Sequence, residues 1–394
     1  MQPIEIAKGI YEVGVRDWNV RDFHGYSTYN GTTYNAFLVV DEKIALIDTV
    51  RKEFADQMIA NVSRIVDPKK IDLVVSNHTE MDHSGSLPQL MHRIGDDKPL
   101  YCSKMGHKNL LRHIPSKYNF KPVGSGDEIR LGSRTLMFLE TRMLHWPDSM
   151  FTYLKEDQIL FSSDAFGQHY AGPEKFDDEI GDAVMPHAKK YFANILLLYA
   201  PRILKLLEDI RKMGLSFKMI CPDHGVIWRT DLNRIIDAYA SWARQETVNK
   251  ALVVYDTMWH STERMAEAIV DGLASEGVRA TPYDLRHSHR SDIMTEVLDA
   301  KAIVVGSPTL NNNMFPTVAD FLIYMKGLKP QGKLGAAFGS YGWSGEAVKQ
   351  VQSELESMDF RIVEPGLRVS YVPDSKDAEA CEAFGRKIAL AMKE

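Results

Sequence analysis

Residues 71–85 of the chain read IDLVVSNHTEMDHSG, an apolar run followed at once by a cluster of metal-binding side chains. The six residues IDLVVS have the length and β-branched composition of a buried strand. Four ligand-type side chains follow within six positions: His78, Glu80, Asp82 and His83. Because packing alone rarely gathers such residues at one strand end, the stretch predicts a metal site.

Three further candidate ligands stand in places of the same kind. His145 comes after the strand RTLMFLET, Asp164 after QILFSS, and His224 after FKMI. Strand ends can converge, and seven ligands are enough for two metals with Asp164 as a carboxylate bridge. Imidazole and carboxylate without thiolate suit iron, manganese or zinc.

Residues 1–248 show antiparallel strand pairs with helices between them. TYNAFLVVDEKIALIDT predicts a β-hairpin that turns at Asp41 and Glu42, and GDEIRLGSRTLMFLET predicts a second that turns at Gly132. This pattern favours an α+β or layered α/β sandwich over a doubly wound sheet.

Residues 249–394 have a different pattern, in which apolar strands alternate with amphipathic helices from ALVVYD to the final helix DAEACEAFGRKIALAMK. Five strands, each followed by a helix, predict a doubly wound parallel sheet of flavodoxin-like order. We therefore predict two domains, 1–248 and 249–394, with the boundary in the RQETVNK segment near residues 244–250.

Three loops at strand ends of the second domain predict a flavin site. Hydroxyls and backbone N–H groups at a helix N-terminus suit a phosphate dianion, although a Ser or Thr there can also act simply as an N-cap. Glycines let the backbone approach the isoalloxazine ring, and Tyr341 or Trp343 can flank its face. The absence of GxGxxG argues against a dinucleotide. The candidate residues are Thr257, Met258, Trp259, His260, Ser261, Thr262, Pro308, Thr309, Leu310, Asn311, Asn312, Ser340, Tyr341, Gly342, Trp343, Ser344 and Gly345.

Composition limits the class of protein. With 394 residues, 44% hydrophobic and 25% charged, the chain reads as a folded protein of two or three domains. A net charge of −6 with scattered basic residues argues against a nucleic-acid partner. No apolar run reaches the roughly 18 residues of a membrane span, and no signal peptide is visible. Three widely spaced cysteines, Cys102, Cys221 and Cys381, favour the cytoplasm.

The HTEMDH loop, together with His145, Asp164 and His224, resembles the metallo-β-lactamase superfamily, whose usual motif is HxHxDH. Glu80 stands where that motif has its second histidine. This exchange resembles the flavodiiron proteins, or A-type flavoproteins, whose second domain is a flavodoxin. The resemblance implies an α/β protein with an N-terminal metallo-β-lactamase-like αββα sandwich, followed by a flavodoxin-like domain that binds FMN.

The resemblance also implies roles for individual residues. His78, Glu80 and His145 would bind the iron nearer the flavin; Asp82, His83 and His224 would bind the other; and Asp164 would bridge the two. In some members the residue matching His83 turns away and water replaces it. Pocket residues that would donate a hydrogen bond or proton are His24, Tyr26, His169 and Tyr191, for which a surface His or a core Tyr is the structural alternative.

The function implied is that of an oxidoreductase that passes electrons through FMN to two irons, where O₂ is reduced to water or NO to N₂O. Both substrates remain open. The resemblance implies a separate electron donor, rubredoxin, with a reduced deazaflavin as the alternative, and a head-to-tail homodimer or a dimer of dimers. No fused rubredoxin or flavin-reductase domain is expected.

Two other functions compete with this one. A zinc hydrolase of the metallo-β-lactamase type could carry an appended flavodoxin, but Glu80 and the FMN-type loops count against it. An electron carrier could use the metal domain only as a scaffold, but seven intact ligands count against that.

Overall fold

The computed structural model describes residues 2–114 and 117–394, which form two compact units. The first unit holds residues up to 24, 28–192 and 201–240; the second holds 25–27, 193–200 and 241–394. The predicted division at residue 248 stays a prediction, and no pattern in the sequence indicates that two short segments group with the C-terminal part. Among the described residues, no helix is both long enough and apolar enough to cross a membrane.

Two mixed sheets form the first unit. The strands up to residue 222 are β1 (Ile4–Ala7), β2 (Ile10–Glu12), β3 (Val15–Asp17), β4 (Asp22–Phe23), β5 (Tyr26–Ser27), β6 (Thr32–Tyr34), β7 (Phe37–Val40), β8 (Ile44–Ile47), β9 (Ile71–Ser76), β10 (Pro99–Ser103), β11 (Asn119–Val123), β12 (Glu128–Arg130), β13 (Thr135–Glu140), β14 (Met150–Leu154), β15 (Ile159–Ser163) and β16 (Met219–Pro222). One sheet has the order β1-β2-β7-β8-β9-β10-β11, and the other runs from β12 to β16. The antiparallel pairs β7/β8 and β12/β13 confirm both predicted hairpins.

The apolar faces of the two sheets pack against each other. Phe37 and Val75 from one sheet share a buried core with Phe138 and Phe161 from the other. The opposite face of the first sheet packs against helices, where Met58 lies in the same core cluster as the strand residues. The helices of this part are α1 (Ala55–Ser63), α2 (Met81–Ser84), α3 (Leu87–Ile94), α4 (Lys104–His113), α5 (Asp177–Ile180), α6 (Val184–Tyr191), α7 (Ala200–Lys212) and α8 (Leu232–Ala243).

The second unit contains a parallel sheet of order β18-β17-β19-β22, which ends in β23 and β24 on the same edge of β22. The strands of the second unit are β17 (Val248–Tyr255), β18 (Arg279–Asp284), β19 (Ala300–Gly306), β20 (Thr309–Leu310), β21 (Asn313–Met314), β22 (Leu334–Tyr341), β23 (Arg361–Ile362) and β24 (Leu367–Ser370). Its helices are α9 (Ser261–Ser275), α10 (Arg290–Val297), α11 (Pro316–Leu328), α12 (Glu346–Glu356) and α13 (Ser375–Ala391). The predicted flavodoxin-like order is confirmed. The fifth strand is split where Pro365 and Gly366 interrupt the ladder.

Candidate functional site

The seven side chains predicted to bind metal converge at one end of the two-sheet sandwich. They follow the carboxyl ends of β9, β13, β15 and β16, as the sequence predicts. Their ligand atoms fall into two groups, each within 4.8 Å: His78, Glu80, His145 and Asp164 in the first, and Asp82, His83 and His224 in the second.

Asp164 joins the two groups because its carboxylate oxygens face in different directions. Its Oδ2 lies 3.2 Å from His145 Nε2 and 3.4 Å from His78 Nε2. Its Oδ1 lies 3.3 Å from His83 Nε2 and 3.4 Å from His224 Nε2. This is the arrangement that a carboxylate bridge between two metals requires.

The other two carboxylates each serve one group. In the first, Glu80 Oε2 lies 3.2 Å from His145 Nε2 and 3.3 Å from His78 Nε2. In the second, Asp82 Oδ2 lies 3.2 Å from His224 Nε2. Ligand atoms about 2.1 Å from a shared metal would stand about this far from one another.

Neighbouring side chains and carbonyl groups hold two of the histidine rings by their outer nitrogens. His78 Nδ1 lies 3.0 Å from Asp148 Oδ2, and His224 Nδ1 lies 2.6 Å from the carbonyl oxygen of Thr33. Both contacts leave Nε2 facing the group. Asp148 was not predicted from the sequence, although it lies only three residues after His145.

Burial and charge at this end of the sandwich favour a bound cation. Burial alone would lower the pKa of His78, but hydrogen bonds to Asp148 and Glu80 outweigh it and raise the pKa to about 10. Burial disfavours ionised Asp164, yet His83 and His145 hold its pKa well below the usual range. Nearby positive charge therefore keeps the buried carboxylates ionised, and metal ions can supply that charge in place of protons.

The donor set fits two irons by its chemistry. Asp82 Oδ1 is buried and has no hydrogen-bond partner within the described part of the chain. No cysteine belongs to either group, and imidazole with carboxylate is a donor set that iron accepts.

Three of the four predicted pocket residues lie beside the groups. The Tyr191 hydroxyl donates to Asp164 Oδ1 at 2.8 Å. His169 is buried, and its ring lies 4.8 Å from that of His224 and 5.0 Å from that of Tyr191. Its pKa is lowered well below the usual value, mainly by burial and also by the charge of His224. His24 is exposed, with Nε2 3.8 Å from Glu80 Oε1.

Tyr26, the fourth predicted pocket residue, groups with the second unit. It is buried, and its pKa is raised by burial and by the nearby Tyr324 and Asp292. Its predicted catalytic role stays a prediction.

A cleft of about 570 Å³ in the second unit gathers the three predicted flavin loops. Its walls include Met258, Trp259, Ser261, Pro308, Thr309, Leu310, Asn311, Asn312, Ser340, Tyr341, Gly342, Trp343 and Ser344. Tyr371 and Val372, which follow the last strand, also line it and were missed from the sequence. A phenol at the end of a strand was the available signal. Trp259 and Trp343 are 85% and 86% exposed, so two large aromatic faces stand open to a flat ligand.

Four predicted flavin residues do not line this cleft. The buried Thr262 hydroxyl lies 2.8 Å from Ser340 Oγ, and the exposed His260 ring pairs with Glu263 at 2.5 Å. Gly345 precedes α12 with a φ of 79°, a conformation that suits glycine. Thr257 is buried, and within the described residues its hydroxyl lacks a hydrogen-bond partner.

Comparison with known proteins matches both halves of the chain. A family described as ODP family beta lactamase matches residues 32–225, and Flavodoxin matches residues 253–385. A nitric oxide reductase of Moorella thermoacetica is 46% identical over 98% of each chain.

Two solved structures match over the full length. Rubredoxin oxygen:oxidoreductase from Desulfovibrio gigas has a TM-score of 0.97 at 42% identity and covers 100% of this chain and 99% of its own. The flavodiiron protein from Giardia intestinalis has a TM-score of 0.95 at 36% identity and covers 100% of this chain and 98% of its own. The predicted fold class, a metallo-β-lactamase-like domain followed by a flavodoxin-like domain, is confirmed.

Proposed function

Because the chain belongs to the flavodiiron protein family, we propose that it is an oxidoreductase that passes electrons from an external donor through FMN to a non-haem di-iron site. Its substrate is O₂, reduced to water, or NO, reduced to N₂O, or both. The observation that carries the proposal is the two-sided carboxylate of Asp164, because a bridging ligand is what distinguishes a dinuclear site from two separate ones.

The first iron would be held by His78, Glu80 and His145, and the second by Asp82, His83 and His224, with Asp164 shared. Two ferrous ions and a reduced flavin would supply four electrons, the number that converts O₂ to two waters and twice the number that converts two NO to N₂O and water. Glu80 in the histidine position of the HxHxDH motif adds a hard anionic donor, which favours the higher oxidation state of iron.

The residues around the metal ligands would transfer protons, donate hydrogen bonds and exclude water. His169 lies among aromatic rings, and burial lowers its pKa well below the usual value, so its imidazole stays neutral and can donate a hydrogen bond from a ring N–H. Tyr191 donates a hydrogen bond from its hydroxyl group to Asp164 Oδ1 and would so orient the bridging ligand. His24 is the exposed member and stands where protons can enter from solvent.

FMN would occupy the cleft of the second unit. Thr257 and Ser261 flank the N-terminus of α9, where backbone N–H groups and the helix dipole favour a phosphate dianion. Thr257 does not line the cleft itself but directly precedes the lining residue Met258, and its buried hydroxyl needs an acceptor, which a phosphate oxygen would provide. Trp259, Trp343 and Tyr371 offer aromatic faces for the isoalloxazine ring.

The donor and the assembly complete the proposal. Rubredoxin is the donor we favour, since a matched relative is a rubredoxin oxygen:oxidoreductase, and a reduced deazaflavin is the alternative. We expect a head-to-tail homodimer or a dimer of dimers, in which a second copy covers the exposed tryptophans of the flavin cleft. All three cysteines are buried and free of disulfides, as suits a reducing cytoplasm.

Metal and flavin analysis combined with gas consumption tests this function. We expect two irons and one FMN per chain, and consumption of O₂ or NO by the pre-reduced protein in electrode traces. Zinc in the purified protein, with ester or lactam hydrolysis and no gas consumption, would instead favour the hydrolase. Flavin without metal would favour the electron carrier. Reduction by rubredoxin and by a reduced deazaflavin, each measured anaerobically, distinguishes the two donors.

A further inference from the structure

Asp148 is a buried carboxylate that contacts the metal-binding loop without belonging to either ligand group. Its Oδ2 accepts hydrogen bonds from Thr79 N–H at 2.8 Å and from His78 Nδ1 at 3.0 Å. Its Oδ1 accepts from Asn109 Nδ2 at 3.1 Å. Ser103 Oγ donates to its backbone carbonyl at 2.7 Å. Both the carboxylate and its backbone are therefore fixed in position.

Among the described residues, no carboxylate lies within hydrogen-bond distance of Nδ1 in either histidine of the second group. His224 Nδ1 faces a neutral carbonyl, that of Thr33. His83 Nδ1 lies 3.6 Å from Asp223 Oδ2, which is beyond hydrogen-bond distance. The structure thus places a hydrogen bond to a charged acceptor on the first group and one to a neutral acceptor on the second.

We propose that Asp148 is a positioning residue for the first group alone. It holds the proton of His78 on Nδ1, which leaves Nε2 for the metal, and it does so from a point three residues beyond His145. The carboxylate therefore ties together the two segments that carry the histidines of one metal. This inference rests on the proposed di-iron function.

Asp148→Asn tests the proposal because the amide keeps the shape of the side chain but offers only one acceptor oxygen. The metal-free full-length chain is titrated anaerobically with ferrous iron against a competing chelator, which gives two dissociation constants. We expect one of the two to rise by about 10- to 100-fold, the usual effect of losing such a partner. Asp177→Asn is the matched control: this buried carboxylate accepts from Arg229 N–H at 2.9 Å and contacts no ligand, so both constants should stay at the wild-type values.

Cobalt spectra identify the weakened site. A singly loaded Asp148→Asn protein should give the spectrum of singly loaded Glu80→Ala, which keeps the second site, and not that of Asp82→Ala, which keeps the first. Unchanged constants in Asp148→Asn would overturn the proposal, as would equal weakening of both.

A measurement on the wild-type chain covers the case in which the variant does not fold. In the zinc-loaded protein with ¹⁵N-labelled histidine, the resonance of His78, assigned by its loss in His78→Gln, should show a slowly exchanging proton on Nδ1. A His78 Nδ1 without a proton would overturn the proposal. A wild-type chain that binds fewer than two ferrous ions would reject the di-iron function itself, whereas normal wild-type binding with an unaffected variant rejects only the role of Asp148.

Discussion

The phenol of Tyr191 donates a 2.8 Å hydrogen bond to Asp164 Oδ1, the oxygen that faces His83 and His224. Both side chains are buried, so water does not compete for this bond. The hydrogen bond from Tyr191 therefore fixes the orientation of the Asp164 carboxylate, which lies between the two ligand groups.

Tyr191→Phe should lower the free energy of unfolding of the metal-free protein by about 1.5–3 kcal/mol, the usual range for a hydrogen bond to a charged group. The ring contact with His169 is kept. Urea denaturation measures the effect. The control is Tyr153→Phe, which removes a donated bond of 2.8 Å to the neutral carbonyl of Ser216 and should cost only about 0.5–1.5 kcal/mol. An equal or smaller loss in Tyr191→Phe would contradict the special role of the charged acceptor.

Asp164→Ala should deplete both irons together, because it removes the only ligand that faces both groups. Iron content after dialysis against a chelator is the measurement, and flavin content should stay the same. Asp182→Ala, which loses only an exposed ion pair with Arg234, should keep two irons. Two fully occupied irons in Asp164→Ala would remove this residue from the bridging role.

Replacing Thr257 and Ser261 together with Ala should lower FMN affinity at least about tenfold, since hydrogen bonds to a charged phosphate contribute about 1.5–3 kcal/mol each. Iron content should not change. Ser275→Ala, at the other end of α9, removes only a bond to the Gly272 carbonyl and should retain flavin normally. If flavin retention on dilution is the same in all three proteins, the backbone N–H groups alone hold the phosphate.

Metal-free protein should lose stability as the pH rises from about 6.5 toward 10. The pKa of His78 is raised to about 10 and that of His83 lies well above its usual value, so the folded state binds protons that the unfolded state releases in this window. The stabilisation is complete below the unfolded pKa and disappears as the pH passes the folded pKa. Iron-loaded protein, with metal in place of these protons, should show a flatter profile. Thermal melting of both forms across this range makes the comparison, and identical slopes would contradict the explanation.

Complementation tests the head-to-tail dimer. A chain with His78→Ala and Asp164→Ala is mixed with one from which FMN has been removed and whose Thr257 and Ser261 replacements weaken its rebinding, and the subunits are allowed to exchange. If electrons pass between subunits, the heterodimer holds one intact flavin opposite one intact metal site, and gas consumption returns. If heterodimers form but stay inactive, transfer occurs within each chain.

Much of the fold and of the candidate metal site could be predicted from the sequence, because the patterns that indicate them are local. A strand end followed by His78, Glu80, Asp82 and His83 needs only a tight loop, and the alternating pattern after residue 248 determines a parallel sheet. Contacts between distant segments left no such signal. Asp148 lies 70 positions from His78, and an acid in a loop after a strand has the same appearance whether it faces solvent or an imidazole.

The second unit also contains contacts between distant segments that the sequence does not indicate. Tyr371 follows a strand that the sequence predicts, yet only the fold brings it to the cleft formed around residue 258. Segments 25–27 and 193–200 lie far from residue 248 in sequence, so the sequence pattern places them in the predicted first domain. In the structure, Ser27 Oγ lies 2.9 Å from Ser291 Oγ, and Asn194 Nδ2 donates to the Ser291 carbonyl at 3.0 Å.

The spread of the seven ligands from His78 to His224 also bears on how the protein matures. Loops this far apart in sequence meet only after both sheets have formed. The loss of chain entropy on bringing these loops together must therefore be offset before either ion can bind all its ligands. In the proposed di-iron protein, metal capture would then be a late event in biogenesis, and the bound ions would cross-link four chain segments. Release of iron should accordingly be slow and coupled to partial unfolding of the sandwich.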